Sequence, residues 1–249
     1  EATPFCGPRH AIDRARLAEQ GLIQPDGKVT ALLEEFRIVK RQLLLSARAA
    51  RNAGGNAAQR VLVCSPLPGE GKTFCATNLA LAIAAEKDSE VLLVDADFAK
   101  PSILSTLGLP GGPGLMDALV DPTIRVEECV IATDVPGLFV LPAGSQSNSD
   151  SEFLASDRTP EVLDRLTRRA RNRIVIFDSP PALAASPAAE LAKHVGQALV
   201  VVRADITGQS ALEDALSLLS ICPDIKLLLN AAHFSPSGRR FGTYYGYGE

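Results

Sequence analysis

Apolar residues in the second part of the chain fall into short runs that are separated by stretches with helical spacing. Because neighbouring positions within each run are both apolar, strands formed by these runs would be buried on both faces. Such strands are typical of a parallel sheet that is covered by helices on each side. We therefore predict an α/β fold with a doubly wound, mainly parallel sheet, whose strands lie at residues 61–65, 91–97, 138–144, 174–178, 198–204 and 226–231.

A long amphipathic helix is predicted before the first of these strands, over residues 30–51. Its apolar positions recur every three or four residues with charges between them, namely at Leu32, Leu33, Phe36, Val39, Leu43 and Leu44. Small residues follow at 52–58 and predict a linker. We therefore divide the chain into a helical arm with its linker (residues 1–58), a sheet domain (59–232) and a polar, glycine-rich tail (233–249).

Composition narrows the possible functions. The formal net charge of −4 gives no general attraction to nucleic acid, and we expect no nucleic-acid partner. We interpret the basic run 165–173 as positive side chains at a helix carboxyl end. Apolar runs such as residues 79–85 are shorter than the roughly 20 residues of a membrane helix, so we expect no membrane span or signal peptide. The five cysteines lack CxxC spacing, and we expect reduced thiols in a cytoplasmic protein.

A phosphate-binding loop is predicted between the first strand and the helix that follows it. The segment reads SPLPGEGKTF, and its Gly71, Lys72 and Thr73 match the end of a P-loop, whereas Pro66 replaces the first glycine of the strict pattern. Backbone amides of such a loop bind phosphate oxygens, the lysine reaches the β and γ phosphates, and the hydroxyl binds magnesium. A helix-capping turn is the alternative. The predicted nucleotide contacts also include Pro68, Gly69, Glu70 and Phe74.

Three aspartates follow two of the predicted strands. Asp95 and Asp97 end the segment VLLVDAD, and Asp178 ends IVIFD. Sites of α/β proteins lie at the carboxyl ends of their strands, and Mg²⁺ prefers oxygen ligands. We therefore predict a magnesium site of Thr73, Asp97 and Asp178, with Asp95 left free to accept a proton. Each aspartate could instead cap the helix that follows it.

The chain's three tyrosines, Tyr244, Tyr245 and Tyr247, all lie in the glycine-spaced ending FGTYYGYGE. Glycine gives no helix or strand preference, so we expect a flexible tail that presents the phenols to solvent. A disordered end without function is the alternative.

The chain resembles the bacterial tyrosine kinase (BY-kinase) family, whose members are P-loop NTPases of the MinD/ParA-like superfamily. The resemblance is carried by the motifs SPLPGEGKT, VLLVDADFAKP and IVIFDSPP, in this order, and by the tyrosine cluster that follows them. The segments EEFRIVKRQLL, FVLPAG and ALVVVRAD further resemble the exosortase-associated subgroup. The resemblance implies an ATP- and Mg²⁺-dependent protein-tyrosine autokinase that regulates exopolysaccharide or capsule polymerisation and export. It assigns Lys72, Asp95, Asp97 and Asp178 to catalysis and Asn230 to purine contact; a turn-forming role for Asn230 is the alternative.

The resemblance also implies partners. The family assembles into rings through an E-x-x-R-x-x-R helix motif, which appears here as Glu34, Arg37 and Lys40. Lysine cannot make the bidentate contacts of arginine, so this departure weakens the expectation. Phosphorylation would occur in trans, on the tail of a neighbouring subunit. A membrane chain-length-determinant protein would activate the kinase at the inner membrane, and a cognate tyrosine phosphatase would oppose it.

Two other functions fit the phosphate loop. A ParA- or MinD-type ATPase typically has a second lysine early in the loop, as in KGGxGKT, and Leu67 stands at that position. Such a protein also gives no role to the tyrosine tail. A nucleotide-gated scaffold with little catalysis is the third possibility.

Overall fold

One mixed sheet forms the centre of the molecule. The computed structural model describes residue 5, residues 9–53 and residues 55–232. Within these residues the sheet has eight strands in the order β1-β4-β5-β3-β6-β2-β7-β8. The strands are β1 (Arg9–His10), β2 (Arg60–Cys64), β3 (Glu90–Asp95), β4 (Ile131–Thr133), β5 (Leu138–Leu141), β6 (Arg173–Asp178), β7 (Gln197–Arg203) and β8 (Ile225–Asn230).

Neighbouring strands run parallel except for β4 and β5, which are antiparallel. All six strands predicted from the apolar runs are confirmed, although five of them end earlier, two of them by more than one residue. Strand β3 ends at Asp95 rather than at residue 97, and β5 ends at Leu141, just before a proline that cannot donate to a ladder. Strands β1 and β4 escaped prediction because they have two and three residues.

Helices cover both faces of the sheet. They are α1 (Arg14–Glu19), α2 (Ala31–Asn52), α3 (Lys72–Ala84), α4 (Ile103–Leu107), α5 (Leu115–Val120), α6 (Asp150–Leu154), α7 (Arg158–Thr167), α8 (Pro187–Ala192) and α9 (Gln209–Leu218). The amphipathic helix predicted at 30–51 is α2, whose first turn is capped by the Thr30 hydroxyl accepting from the Leu33 amide at 3.2 Å. The predicted linker ends in a short 3₁₀ helix, Ala57–Gln59.

The alternation of side chains along the strands divides the core into two layers. In β2, Leu62 points into one layer, while Val61 and Val63 point into the other. Helices α2 and α3 cover the second layer, and the apolar stripe of α2 buries Phe36 and Leu43 there. Because every strand residue of β2 is buried, the sheet is covered on both faces, as the apolar runs predicted.

Two arginines of the basic run 165–173 stabilise the fold. Arg165 makes two hydrogen bonds to the Glu127 carboxylate, at 2.9 and 2.6 Å. Arg173 is buried, pairs with Glu90 at 2.9 Å and lies over the Phe5 ring at 3.9 Å. These contacts give the two arginines structural roles.

The four described cysteines are buried and free: Cys64, Cys75, Cys129 and Cys222. Burial raises the pKa of the Cys64 and Cys75 thiols to about 12, so both stay protonated at neutral pH. Among the described residues, no helix combines the length and hydropathy that crossing a membrane would require.

The absence of a side chain at Gly196 allows the start of β7 to lie close to the segment before β2. Its amide donates to the Ala57 carbonyl at 2.8 Å. A Cβ at this position would lie 2.4 Å from the Ala58 nitrogen, which is a backbone atom that cannot rotate away.

We expect Gly196→Ala to lower the free energy of unfolding by about 1–3 kcal/mol, because the added methyl must push β7 away from its neighbour. Urea denaturation measures this change. The matched control is Gly112→Ala, since nothing lies within 4 Å of a Cβ at Gly112, and it should change stability by less than about 0.5 kcal/mol. Equal effects of the two substitutions would contradict the proposed close approach.

Candidate active site

The predicted phosphate loop connects the carboxyl end of β2 to the first turn of α3. Gly69 and Gly71 have positive φ values of 80° and 94°, and α3 begins directly afterwards at Lys72. A side chain at Gly71 would also collide with the Asn230 amide, 2.2 Å from its Cβ position. The first amides of a helix have no partners within the helix, so this turn presents free N–H groups of the kind that bind phosphate.

Lys72 and Thr73, the first two residues of α3, each contact one of the predicted aspartates. The Lys72 ammonium lies 3.1 Å from an Asp97 carboxylate oxygen. The Thr73 hydroxyl donates to the Asp178 Oδ2 atom at 2.7 Å. The loop and the acids therefore form one cluster at the carboxyl edge of the sheet.

The strand register brings the three aspartates together. Strands β3 and β6 pair directly, and Asp95 and Asp178 are opposite each other as register partners. All three carboxylates are buried, with relative exposures of 1% for Asp95, 6% for Asp97 and 0% for Asp178. Burying like charges at this density is costly unless each carboxylate finds a compensating partner.

Asp178 is the least compensated of the three. Its Oδ2 atom accepts from Thr73, whereas its buried Oδ1 atom has no hydrogen-bond partner among the described residues. Burial raises the pKa of Asp178 to about 7, and the neighbouring charges of Asp95 and Asp97 add to the rise. An unpartnered carboxylate oxygen beside a hydroxyl fits the coordination chemistry of Mg²⁺.

A magnesium ion at this position would also need ligands from outside the protein. Among the described residues, no group of three or more His, Cys, Asp or Glu side chains is arranged to hold a metal ion. Mg²⁺ usually binds to one or two carboxylates and completes its shell with phosphate oxygens and water. The residues present therefore fit a nucleotide-bound cation better than a permanent metal site.

Asp95 makes hydrogen bonds that the sequence did not predict. Its Oδ2 atom accepts from the amides of Ser102 and Ile103 at 2.8 and 2.9 Å, and its Oδ1 atom accepts from the Asp97 amide at 3.3 Å. It therefore caps the start of α4, which was the alternative considered for each aspartate. Burial nevertheless outweighs these bonds and raises the pKa of Asp95 to about 6.

The side chains of Glu70 and Asn230 hold the phosphate loop in place through hydrogen bonds. The Glu70 carboxylate is buried and accepts from the Leu67 amide at 2.8 Å and from the Thr207 hydroxyl. The Asn230 side chain donates to the Glu70 carbonyl at 2.9 Å, and Arg203 donates to the Gly69 carbonyl at 3.1 Å. Sequence analysis assigned no role to Arg203 or Thr207, because their contacts with the loop join segments that are far apart in the chain.

Asn230 also lines a cavity of about 450 Å³ beside the loop. Phe74 also lines this cavity, and the apolar side of α2 contributes Leu32, Phe36, Ile38 and Val39. The cavity is mainly apolar with few polar groups, which is the usual character of a site for a flat organic ligand. The predicted purine contact of Asn230 would use this cavity.

The predicted oligomerisation residues make contacts within their own chain. Arg37 pairs with Glu34 along α2. The Lys40 ammonium lies 3.1 Å from Glu86 and donates to the Ala82 carbonyl at 3.2 Å. The predicted phosphoacceptors Tyr244, Tyr245 and Tyr247 lie outside the described residues.

Comparison with known proteins identifies the family. The model of the AAA domain matches residues 62–228. The putative tyrosine-protein kinase EpsB of Ralstonia solanacearum is 33% identical over 203 residues, which cover 81% of this chain and 26% of EpsB. The tyrosine-protein kinase YwqD of Bacillus subtilis is 32% identical over 162 residues, which cover 65% of this chain and 67% of YwqD.

Solved structures agree with this result. The tyrosine kinase domain of BceF is 27% identical, covers 78% of this chain and 76% of its own, and superposes with a TM-score of 0.65. The cell division ATPase MinD of Pyrococcus furiosus shares the fold with a TM-score of 0.58 at 23% identity, covering 71% of this chain and 73% of its own. The phosphate loop, the three aspartates and these similarities lead to one conclusion: the chain belongs to the bacterial tyrosine-protein kinase family, within the P-loop proteins that the AAA domain model describes.

Proposed function

We propose that the chain is an ATP-dependent protein-tyrosine autokinase that phosphorylates Tyr244, Tyr245 and Tyr247 of its own tail. One observation carries the proposal: Lys72 and Thr73 begin a helix beside three buried carboxylates, one of which has an unpartnered oxygen. This arrangement suits a triphosphate with its cation, and the relatives named as tyrosine kinases point to a phenol as the acceptor.

Lys72, Thr73 and the aspartates would divide the work of binding. We propose that Lys72 exchanges its Asp97 partner for phosphate oxygens, which frees Asp97 to join Thr73 and Asp178 around Mg²⁺. When bound, the ion would neutralise charge on the phosphates. The loop amides near Gly71 would hold the phosphates, and the cavity beside Asn230 and Phe74 would hold the purine.

The reaction would transfer the γ-phosphoryl group to a tyrosine oxygen. The bond between the γ phosphorus and the bridging oxygen of ADP breaks, a bond to the phenol oxygen forms, and the phenol proton moves to a carboxylate. We propose Asp95 as that carboxylate, because it lies beside Asp97 and its pKa is raised to about 6. A free phenol has a pKa of about 10, so the proton would move late in the reaction.

The partners are part of the same proposal. The chain spans 26% of the length of EpsB, so the activity and partners of the complete relatives are proposals for this chain. We propose a homo-oligomeric ring formed through Glu34, Arg37 and Lys40, in which each tail is phosphorylated by a neighbour. A membrane chain-length-determinant protein would recruit and activate the ring at the inner membrane, and a cognate phosphatase would reset it. Membership of the exosortase-associated subgroup and the control of exopolysaccharide or capsule export belong to this proposal.

A MinD-type ATPase is the main alternative, because MinD shares the fold. Leu67 at the position of the second lysine and the tyrosine tail both disfavour it. Incubation with Mg-ATP followed by mass spectrometry of the tail separates the alternatives. Phosphotyrosine supports the kinase, hydrolysis without phosphotyrosine supports the ATPase, and neither product supports a scaffold.

We expect Lys72→Met to abolish phosphotyrosine formation, because the variant lacks the cation that contacts the transferred phosphate, while the circular dichroism of the fold is retained. The matched control is Lys87→Met, an exposed lysine outside the cluster, which should keep full activity. Persistent tail phosphorylation in Lys72→Met would contradict the site assignment.

We expect Asp95→Asn to slow phosphate transfer more than it weakens ATP binding. The same change should lower the free energy of unfolding by about 1–3 kcal/mol, because an amide cannot accept all three N–H groups that Asp95 binds. Rates, nucleotide affinity and urea denaturation are measured together, with the exposed Asp214→Asn as control. Equal losses in transfer and in binding would leave Asp95 with the capping role alone.

A further inference from the structure

Hydrogen bonds connect the phosphate loop to the carboxyl ends of β7 and β8. Glu70 is 2% exposed, although it lies within a loop of small residues. One oxygen of its carboxylate accepts from the Leu67 amide at 2.8 Å, and the other accepts from the Thr207 hydroxyl. A buried carboxylate with bonds of this kind fixes the loop more firmly than packing alone, since charge-assisted hydrogen bonds are among the stronger ones.

Thr207 is itself held in place by a closed turn after β7. Its hydroxyl accepts from the Arg203 amide at 2.9 Å, and its own amide donates to the Arg203 carbonyl at 3.0 Å. Because the hydroxyl accepts from Arg203, its proton is available for Glu70. The orientation of the Thr207 side chain is therefore determined before any ligand binds.

Two further bonds hold the carbonyl groups of the loop. Arg203 donates to the Gly69 carbonyl at 3.1 Å, and Asn230 donates to the Glu70 carbonyl at 2.9 Å. Arg203 and Asn230 are register partners in β7 and β8, so the two donors lie side by side. In a planar trans peptide the C=O and N–H groups point in opposite directions. Binding these carbonyls therefore directs the amides of Glu70 and Gly71 away from β7 and β8.

We infer that Thr207 and Arg203 are positioning residues that orient the phosphate loop for nucleotide binding. They act through Glu70 and Gly69 and do not themselves need to touch the nucleotide. The loop is then preorganised, so that binding does not have to order it. This inference rests on the proposed function in one respect, which is that the loop binds nucleotide.

The test compares Thr207→Val and Thr207→Ser with the unaltered chain. Valine keeps the shape of threonine but lacks the hydroxyl, so we expect the affinity for Mg-ATP, measured by calorimetry, to fall about tenfold. In kinase assays the KM for ATP should rise by a similar factor, with kcat within about twofold, because the loop binds the phosphates in both ground and transition states. Serine keeps the hydroxyl and should restore most of the affinity.

The matched control is Thr159→Val, which removes a threonine hydroxyl outside the phosphate loop. The Thr159 hydroxyl donates to the Phe153 carbonyl at 3.0 Å, and Thr159 is fully buried. It should lower stability without changing nucleotide affinity. The inference would be overturned if the affinity of Thr207→Val for Mg-ATP were unchanged. It would also be overturned if Thr207→Ser lost as much affinity as Thr207→Val. Should Thr207→Val fail to fold, Arg203→Gln at an exposed position replaces it, with the same expected loss and the same contradicting result.

Failure of this inference is distinguishable from failure of the proposed function. If the unaltered chain binds Mg-ATP but forms no phosphotyrosine, the kinase assignment is wrong, and the affinities of the Thr207 variants still decide the role of Thr207. If the unaltered chain does not bind Mg-ATP, both the proposed function and the inference about Thr207 and Arg203 are wrong.

Discussion

Three buried carboxylates share the carboxyl edge of the sheet with one ammonium group, and the site depends on how this excess negative charge is compensated. Main-chain amides bind Asp95, Lys72 pairs with Asp97, and the Thr73 hydroxyl binds Asp178. One oxygen of Asp178 stays without a partner within the described chain. Since buried charges are tolerated when they are paired or coordinate metals, the same imbalance that is costly for the fold favours a cation that arrives with a polyphosphate.

The sheet supplies the rigidity that this chemistry needs. Parallel pairing of β3 with β6 places Asp95 opposite Asp178, and pairing of β2 with β6 places the start of the phosphate loop beside them. On the other side of the loop, β7 and β8 hold its carbonyl groups through Arg203 and Asn230. The loop therefore lies between acids that would bind the cation and donors that orient its amides. Catalysis of phosphoryl transfer relies mainly on such positioning and electrostatic stabilisation.

Sequence reasoning succeeded where the signal is local. Continuous apolar runs predicted the six longer strands, and the residues GKT and the aspartates that follow two strands predicted the cluster at the carboxyl edge. It failed where the signal depends on contacts between distant segments. The three bonds that occupy Asp95 come from the turn after β3 and from the first residue of α4, and the pattern of apolar residues does not specify them. Thr207 and Glu70 meet across 137 positions of the chain, because of a register that no spacing encodes.

The most direct test of whether the buried aspartates hold a cation is a calorimetric titration of the chain with ATP. The titration is done first with Mg²⁺ and then with a chelator in its place. The carboxylates should repel a free triphosphate, so we expect removal of Mg²⁺ to weaken ATP binding by at least about tenfold, which is about 1.4 kcal/mol. Equal affinity with and without Mg²⁺ would contradict the account, because the buried aspartates would then have no part in holding a cation.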